Sequence, residues 1–150
     1  MADLAFCSIA EQLGITADDP FRMAELPGQF IVSKPRDLAP NTIAATRGGY
    51  ACWLAPDRAL VVTKKAPSGF ASDMSQGLAV FELSPPHDVA FLAMGCTLPP
   101  EVLEDGRCAQ TLFAGVKVLL TRRGLPLHVH VERSLALFLR DWFRQAATTF

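Results

Sequence analysis

Gly106-Arg107-Cys108-Ala109-Gln110-Thr111 opens the part of the chain that decides the fold. Cys108 to Phe113 and Val116 to Thr121 both read as strands. A loop holding Arg122-Arg123-Gly124 then leads into Leu127 to Glu132, where the alternation is clean. Leu127, Val129 and Val131 point one way there, and His128, His130 and Glu132 the other. Ser134 is placed to cap a closing helix. In that helix Leu135, Phe138, Leu139, Trp142 and Ala146 recur at steps of three and four and form an apolar stripe, with Arg140, Asp141 and Arg144 off it. Strands followed by an amphipathic helix give an α+β class: a mostly antiparallel sheet with helices packed on one face.

Upstream, Tyr50 to Leu54 and Ala59 to Thr63 are apolar runs joined by Ala55-Pro56-Asp57-Arg58. Pro presets φ for a turn and Asp can bond its own backbone there, so the pair is a hairpin. Lys64 to Gly69 is a polar loop. Gly77 to Ser84 reads as a strand, and after Pro85-Pro86 a helix runs from His87 to Gly95 with Val89, Leu92 and Ala93 on one face. Before Gly48 the pattern is weaker. Ala10 to Leu13 makes a helical turn stopped by Gly14, and Gln29 to Ser33 a short strand. Residues 1–47 are therefore expected as an extended N-terminal arm, and residues 48–150 as the α+β domain.

With 150 residues the chain is long enough for one domain and a sizeable core. Its net charge of −1 provides no basic surface for nucleic acid or anionic lipid. Half the residues are apolar and only 19% charged, against a usual charged share of about 25%. That surplus points to a surface covered by another chain. The start of the chain has no basic leader, and no apolar run nears the roughly 18 residues of a membrane helix, so a cytoplasmic protein is expected. Cys7, Cys52, Cys96 and Cys108 are scattered, with no C-x-x-C pair, as suits reduced thiols packed as small apolar groups.

The candidate chemistry is thin. His128, His130 and Glu132 share a strand face, so two imidazoles and a carboxylate could converge on a metal ion; the plainer reading is a solvated or interfacial face. No G-x-S-x-G elbow, G-x-G-x-x-G turn or P-loop is present. Asp73-Met74-Ser75 could hold a polar ligand or simply turn the chain. Arg122-Arg123 suits a solvated hairpin tip, and Trp142 suits the core. No catalytic, cofactor-binding or metal-binding residue is assigned. Tyr50 and Trp53 are the candidate interface residues, because aromatic side chains are enriched at interface centres.

Read in order, Trp53-Leu54-Ala55-Pro56-Asp57, Leu60-Val61-Val62, Asp73-Met74-Ser75, Phe81-Glu82-Leu83, Gly106 to Thr111, and Leu127 to Ser134 ahead of Trp142 resemble the gamma subunit of heterotetrameric sarcosine oxidase. The match runs from Tyr50 to the C-terminus. More weakly, the same order is similar to the N-terminal part of the folate-dependent aminomethyltransferases. The resemblance implies a non-catalytic chain, without cofactor of its own, in an oxidase that demethylates an N-methylated amino acid and passes the carbon to tetrahydrofolate. It implies an alpha subunit with NAD and a tetrahydrofolate site, a beta subunit with FAD, FMN between them, and a delta subunit with zinc. A free-standing folate-binding or one-carbon protein and a small metalloprotein using His128, His130 and Glu132 are the alternatives.

Overall fold

The computed structural model describes residues 8–33, 37–99 and 103–150. In chain order its elements are α1 (Ile9–Gln12), β1 (Arg22–Met23), β2 (Gln29–Ser33), β3 (Ile43–Thr46), β4 (Gly49–Ala55), β5 (Arg58–Thr63) and β6 (Ala71–Asp73). They continue with β7 (Leu78–Leu83), α2 (His87–Gly95), β8 (Arg107–Phe113), β9 (Val116–Arg122), β10 (Leu127–Glu132) and α3 (Ala136–Ala147). Every pairing among these strands is antiparallel. They build a first sheet of order β1-β7-β10-β9-β8 and a second of order β3-β4-β5-β2-β6, five strands each.

The alternation in β10 explains the layering. At the centre of the first sheet, β10 buries Leu127, Val129 and Val131 against α2 and α3. Its other face turns toward the second sheet, and His130 is 2% exposed there. The class is α+β as expected, with helices on one face of a sheet. The second sheet packs on the opposite face.

Two apolar cores result. The larger, between helices and first sheet, is built around Phe143. Its ring centroid lies 5.0 Å from Phe91, 5.2 Å from Phe81, 5.4 Å from Phe21 and 5.6 Å from Phe113. Edge-on and tilted ring pairs of this kind add about 0.5–1.5 kcal/mol each beyond burial. Gly95 ends α2 where a Cβ would meet Phe113 at 2.6 Å and Trp142 at 2.8 Å, so a bare backbone is needed for the rings to close over it. The smaller core lies between the sheets and joins Tyr50, Cys52, Leu60 and Val62 to Cys108 and Leu119.

The expected N-terminal arm is corrected. Residues 1–7 and 34–36 lie outside the described residues, but the remainder of 1–47 is built into the fold. Phe21 is 2% exposed in the larger core, and β2 pairs on both sides, with β5 and β6. At one corner the sheets are stitched: Ile43 N–H donates to Gly106 O (2.8 Å), and Cys108 N–H donates to Asn41 O (3.0 Å). Short, interrupted strands carry too little periodicity to be seen as sheet members; long-range pairing recruits them.

Both long helices are rotated relative to expectation. In α2 the inward residues are Asp88, Phe91 and Leu92, while Val89 is 49% exposed and Ala93 is also outside. Asp88 is drawn in by Arg122, whose Nη2 lies 3.0 Å from its carboxylate. In α3 the buried set is Ala136, Leu139, Phe143 and Ala146, and Phe138 is 51% exposed. Ser134 does not cap this helix. A 3-10 turn, Arg133–Leu135, precedes it, with Arg133 N–H held by Gly77 O at 2.9 Å.

The start of the chain is tied to α3. Arg144 grips Asp19 through two bonds (Nε 2.8 Å, Nη2 3.0 Å) and donates to Gly14 O at 2.7 Å. The Arg144 guanidinium holds the Asp19 carboxyl below its ordinary range.

Candidate functional site

Gln110, Leu112 and Lys117 stand exposed toward the turn end of the β8–β9 hairpin. The hairpin β8–β9 leaves its inner face uncovered there, and a groove of about 500 Å³ opens between the sheets. Leu54 and Leu60 line it from the second sheet; Leu78, Leu112 and Leu119 line it from the first. Gln110, Thr111, Lys117, His130 and Glu132 are its polar members. Alternation explains most of the set, since even-numbered residues of β8 and β10 and odd-numbered residues of β9 face this side, while Thr111 and Val118 also line it. Leu112 is 56% exposed, so the wall it makes is wet and apolar at once.

At the floor, His130 has both ring nitrogens in use. Nδ1 lies 2.8 Å from Gln29 Oε1 and Nε2 lies 3.2 Å from Thr121 Oγ1. Burial, followed by the neighbouring His128, pushes its pKa down to about 3, so the ring is neutral near pH 7. Nδ1 therefore donates to Gln29 and Nε2 accepts from the Thr121 hydroxyl. Gln29 is held in turn by the segment Asp73-Met74-Ser75. Gln29 N–H donates to Ser75 Oγ (3.0 Å), Met74 N–H donates to Gln29 O (2.7 Å), and Ser75 N–H closes onto Asp73 Oδ1 (2.9 Å). That segment is a turn fixing a core glutamine.

The structure does not gather His128, His130 and Glu132 into one centre. His128 Nε2 lies 3.1 Å from Glu82 Oε2, His130 is committed to Gln29 and Thr121, and Glu132 stands exposed at the groove rim. A metal ligand needs a nitrogen lone pair to spare, and His130 has none. Among the described residues no group of three or more His, Cys, Asp or Glu is arranged to hold a metal ion.

The thiols have no nucleophilic setting either. Cys52 and Cys108 are buried between the sheets, and desolvation raises both, Cys108 to about 11 and Cys52 further. A neutral thiol is a small apolar filler. Cys96 is also free, and Cys7 lies outside the described residues.

Tyr50 is not an exposed contact. It is 5% exposed, in the inter-sheet core, and the Arg123 guanidinium lies 3.8 Å above its ring. Trp53 is half-buried against the same core. Of the pair Arg122-Arg123, only Arg123 stands exposed at the hairpin tip. Arg123 stacks on Tyr50, while Arg122 bonds Asp88, Leu103 O (2.6 Å) and Leu125 O (2.6 Å). The sequence reading placed Cys108 to Phe113 and Val116 to Thr121 in strands but did not single out Gln110, Leu112 and Lys117, which the structure brings to one groove. The missing cover above them could not be read from the sequence. Among the described residues no helix is long and apolar enough to cross a membrane.

No protein-family model matches the sequence, and no curated protein does. A solved structure shares the fold: the heterotetrameric sarcosine oxidase from Corynebacterium sp. U-96, in complex with pyrrole 2-carboxylate. The superposition has a TM-score of 0.73 at 19% sequence identity and covers 87% of this chain and 84% of that chain. Nearly equal shares mean that the two chains are of nearly equal length. The α+β architecture of two antiparallel sheets is thus that of a chain in a heterotetrameric oxidase.

Proposed function

We propose that this chain is a structural, non-catalytic subunit of a heterotetrameric, flavin-dependent oxidase of the sarcosine oxidase type. The single observation that carries the reading is the shared fold, over 87% of this chain, with a chain of matching length in such an enzyme. The order of sequence motifs points to the gamma subunit. The substrate class is an N-methylated amino acid, demethylated oxidatively with the carbon passed to tetrahydrofolate. FAD, FMN, NAD, tetrahydrofolate and zinc belong, in this reading, to alpha, beta and delta partners in the cytoplasm.

The side chains support a scaffolding role. Cys52, Cys108 and His130 are all held in uncharged forms near pH 7. The groove is mostly apolar, and Leu112 is half-exposed within it. Such surface is stable in water once another chain covers it.

The test is co-expression with the proteins encoded in neighbouring reading frames. The expected result is one complex that retains this chain through purification, oxidises sarcosine or a related amine, and fails to accumulate when this chain is left out. A fully active oxidase formed without it, together with a lone chain that stays monomeric and binds none of those partners, overturns the reading. Micromolar binding of tetrahydrofolate by the lone chain, measured by calorimetry, points instead to a one-carbon protein.

A further inference from the structure

β8 stands at the edge of the first sheet, and its inner side is paired with β9 from Arg107↔Arg122 to Phe113↔Val116. Antiparallel alternation sends the backbone groups of Cys108, Gln110 and Leu112 to the outer side. Cys108 demonstrates the direction, since its N–H leaves the sheet and donates to Asn41 O at 3.0 Å. Beyond that point no described strand pairs with the outer side of β8. Only the Gln110 side-chain amide still reaches it, at Leu54 O (2.6 Å). No backbone partner meets Gln110 or Leu112 among the described residues.

This open row borders the groove. Leu54 and Leu112 line its walls, and Lys117 lies across the hairpin from Leu112. Neither Lys117 nor Glu132 forms an ion pair among the described residues. Donors and acceptors presented at every second residue match an extended main chain, and an unpaired edge beside an apolar wall is a template for strand addition.

From this juxtaposition we propose that β8 takes up an extended segment of a neighbouring chain of the complex as a further strand of the first sheet. That segment is apolar at the alternate positions that enter the groove and carries a carboxylate where it passes Lys117. The inference rests on the subunit reading and specifies which surface the partner covers.

Two measurements on the complex assembled with the neighbouring-frame proteins test it. Amide hydrogen exchange at Gln110 and Leu112 is expected to slow about a hundredfold or more on assembly, because open edge amides exchange freely and paired ones do not. Leu112→Pro removes one outward N–H and leaves the β9 ladder intact, as edge strands allow. It is expected to weaken retention in the complex roughly tenfold or more while the free chain stays folded. Leu112→Lys serves the same purpose should the proline variant fail to fold, since an edge lysine blocks strand addition without disturbing the strand. A complex that forms normally with both variants, with the two amides exchanging as fast as in the free chain, overturns the strand-addition proposal and leaves the subunit reading standing. Protection that appears in the lone chain, together with the mass of two copies, assigns the edge to self-pairing and also overturns it. If the wild-type chain joins no complex at all, the subunit reading falls and takes this inference with it.

Discussion

His130 couples the stability of the inter-sheet region to acidity. Its folded pKa of about 3 lies below the ordinary 6.5, so between those values the unfolded chain binds a proton that the folded chain refuses. Stability is therefore full above about pH 6.5 and falls as the pH drops, with a slope approaching about 1.4 kcal/mol per pH unit. Urea titrations between pH 7 and pH 4 are expected to show this slope, and His130→Gln should flatten it. An equal slope in the variant would place the proton elsewhere. A second residue-scale prediction concerns Gly49. A Cβ there would lie 1.8 Å from Val62 O in the neighbouring strand, so Gly49→Ala must push β4 and β5 apart. Overpacking of this kind costs about 1–3 kcal/mol, which thermal unfolding reads as a fall of roughly 2–4 °C per kcal/mol in a chain of this size.

At the scale of elements, α3 separates what sequence can give from what it cannot. The 3.6-residue period located the helix and its amphipathic character, but two overlapping stripes fit that period, one through Phe138 and one through Phe143. The ring cluster contributed by Phe21, Phe81, Phe91 and Phe113 decides for Phe143, and those partners are far apart in sequence. Phe143→Ala is expected to cost about 3–5 kcal/mol, and Phe138→Ala less than about 0.5 kcal/mol, both by chemical denaturation; the reverse ranking would invert the helix. β10 and the β4–β5 hairpin were legible because their alternation and turn chemistry are local. β1, β3 and β6 were not, being two to four residues long and recruited by pairing. The same distinction hid the Arg144–Asp19 clasp, which joins positions 125 residues apart. Arg144→Ala should loosen the segment around Asp19, costing about 1 kcal/mol for a partly exposed charge-assisted pair. Asp19's depressed pKa means that the clasp's contribution is present above the ordinary aspartate value and is lost as pH falls below that value through the lower folded one. Limited proteolysis near Asp19 in the variant, against protection in the parent, checks it.

For the molecule as a whole, chain order decides when the core between the sheets can close. The second sheet is made from β2 to β6, residues 29–73, in one uninterrupted stretch. Its inner residues Cys52, Leu60 and Val62 find their partners Cys108 and Leu119 only much later in the chain. On a ribosome adding about 5–20 residues per second, that delay lasts several seconds. Throughout it a nascent sheet presents its greasy side to water with nothing to lay against it. Birth is thus this polypeptide's most sticky moment, and an attendant chaperone at that stage would matter more to its yield than any later gain in native stability.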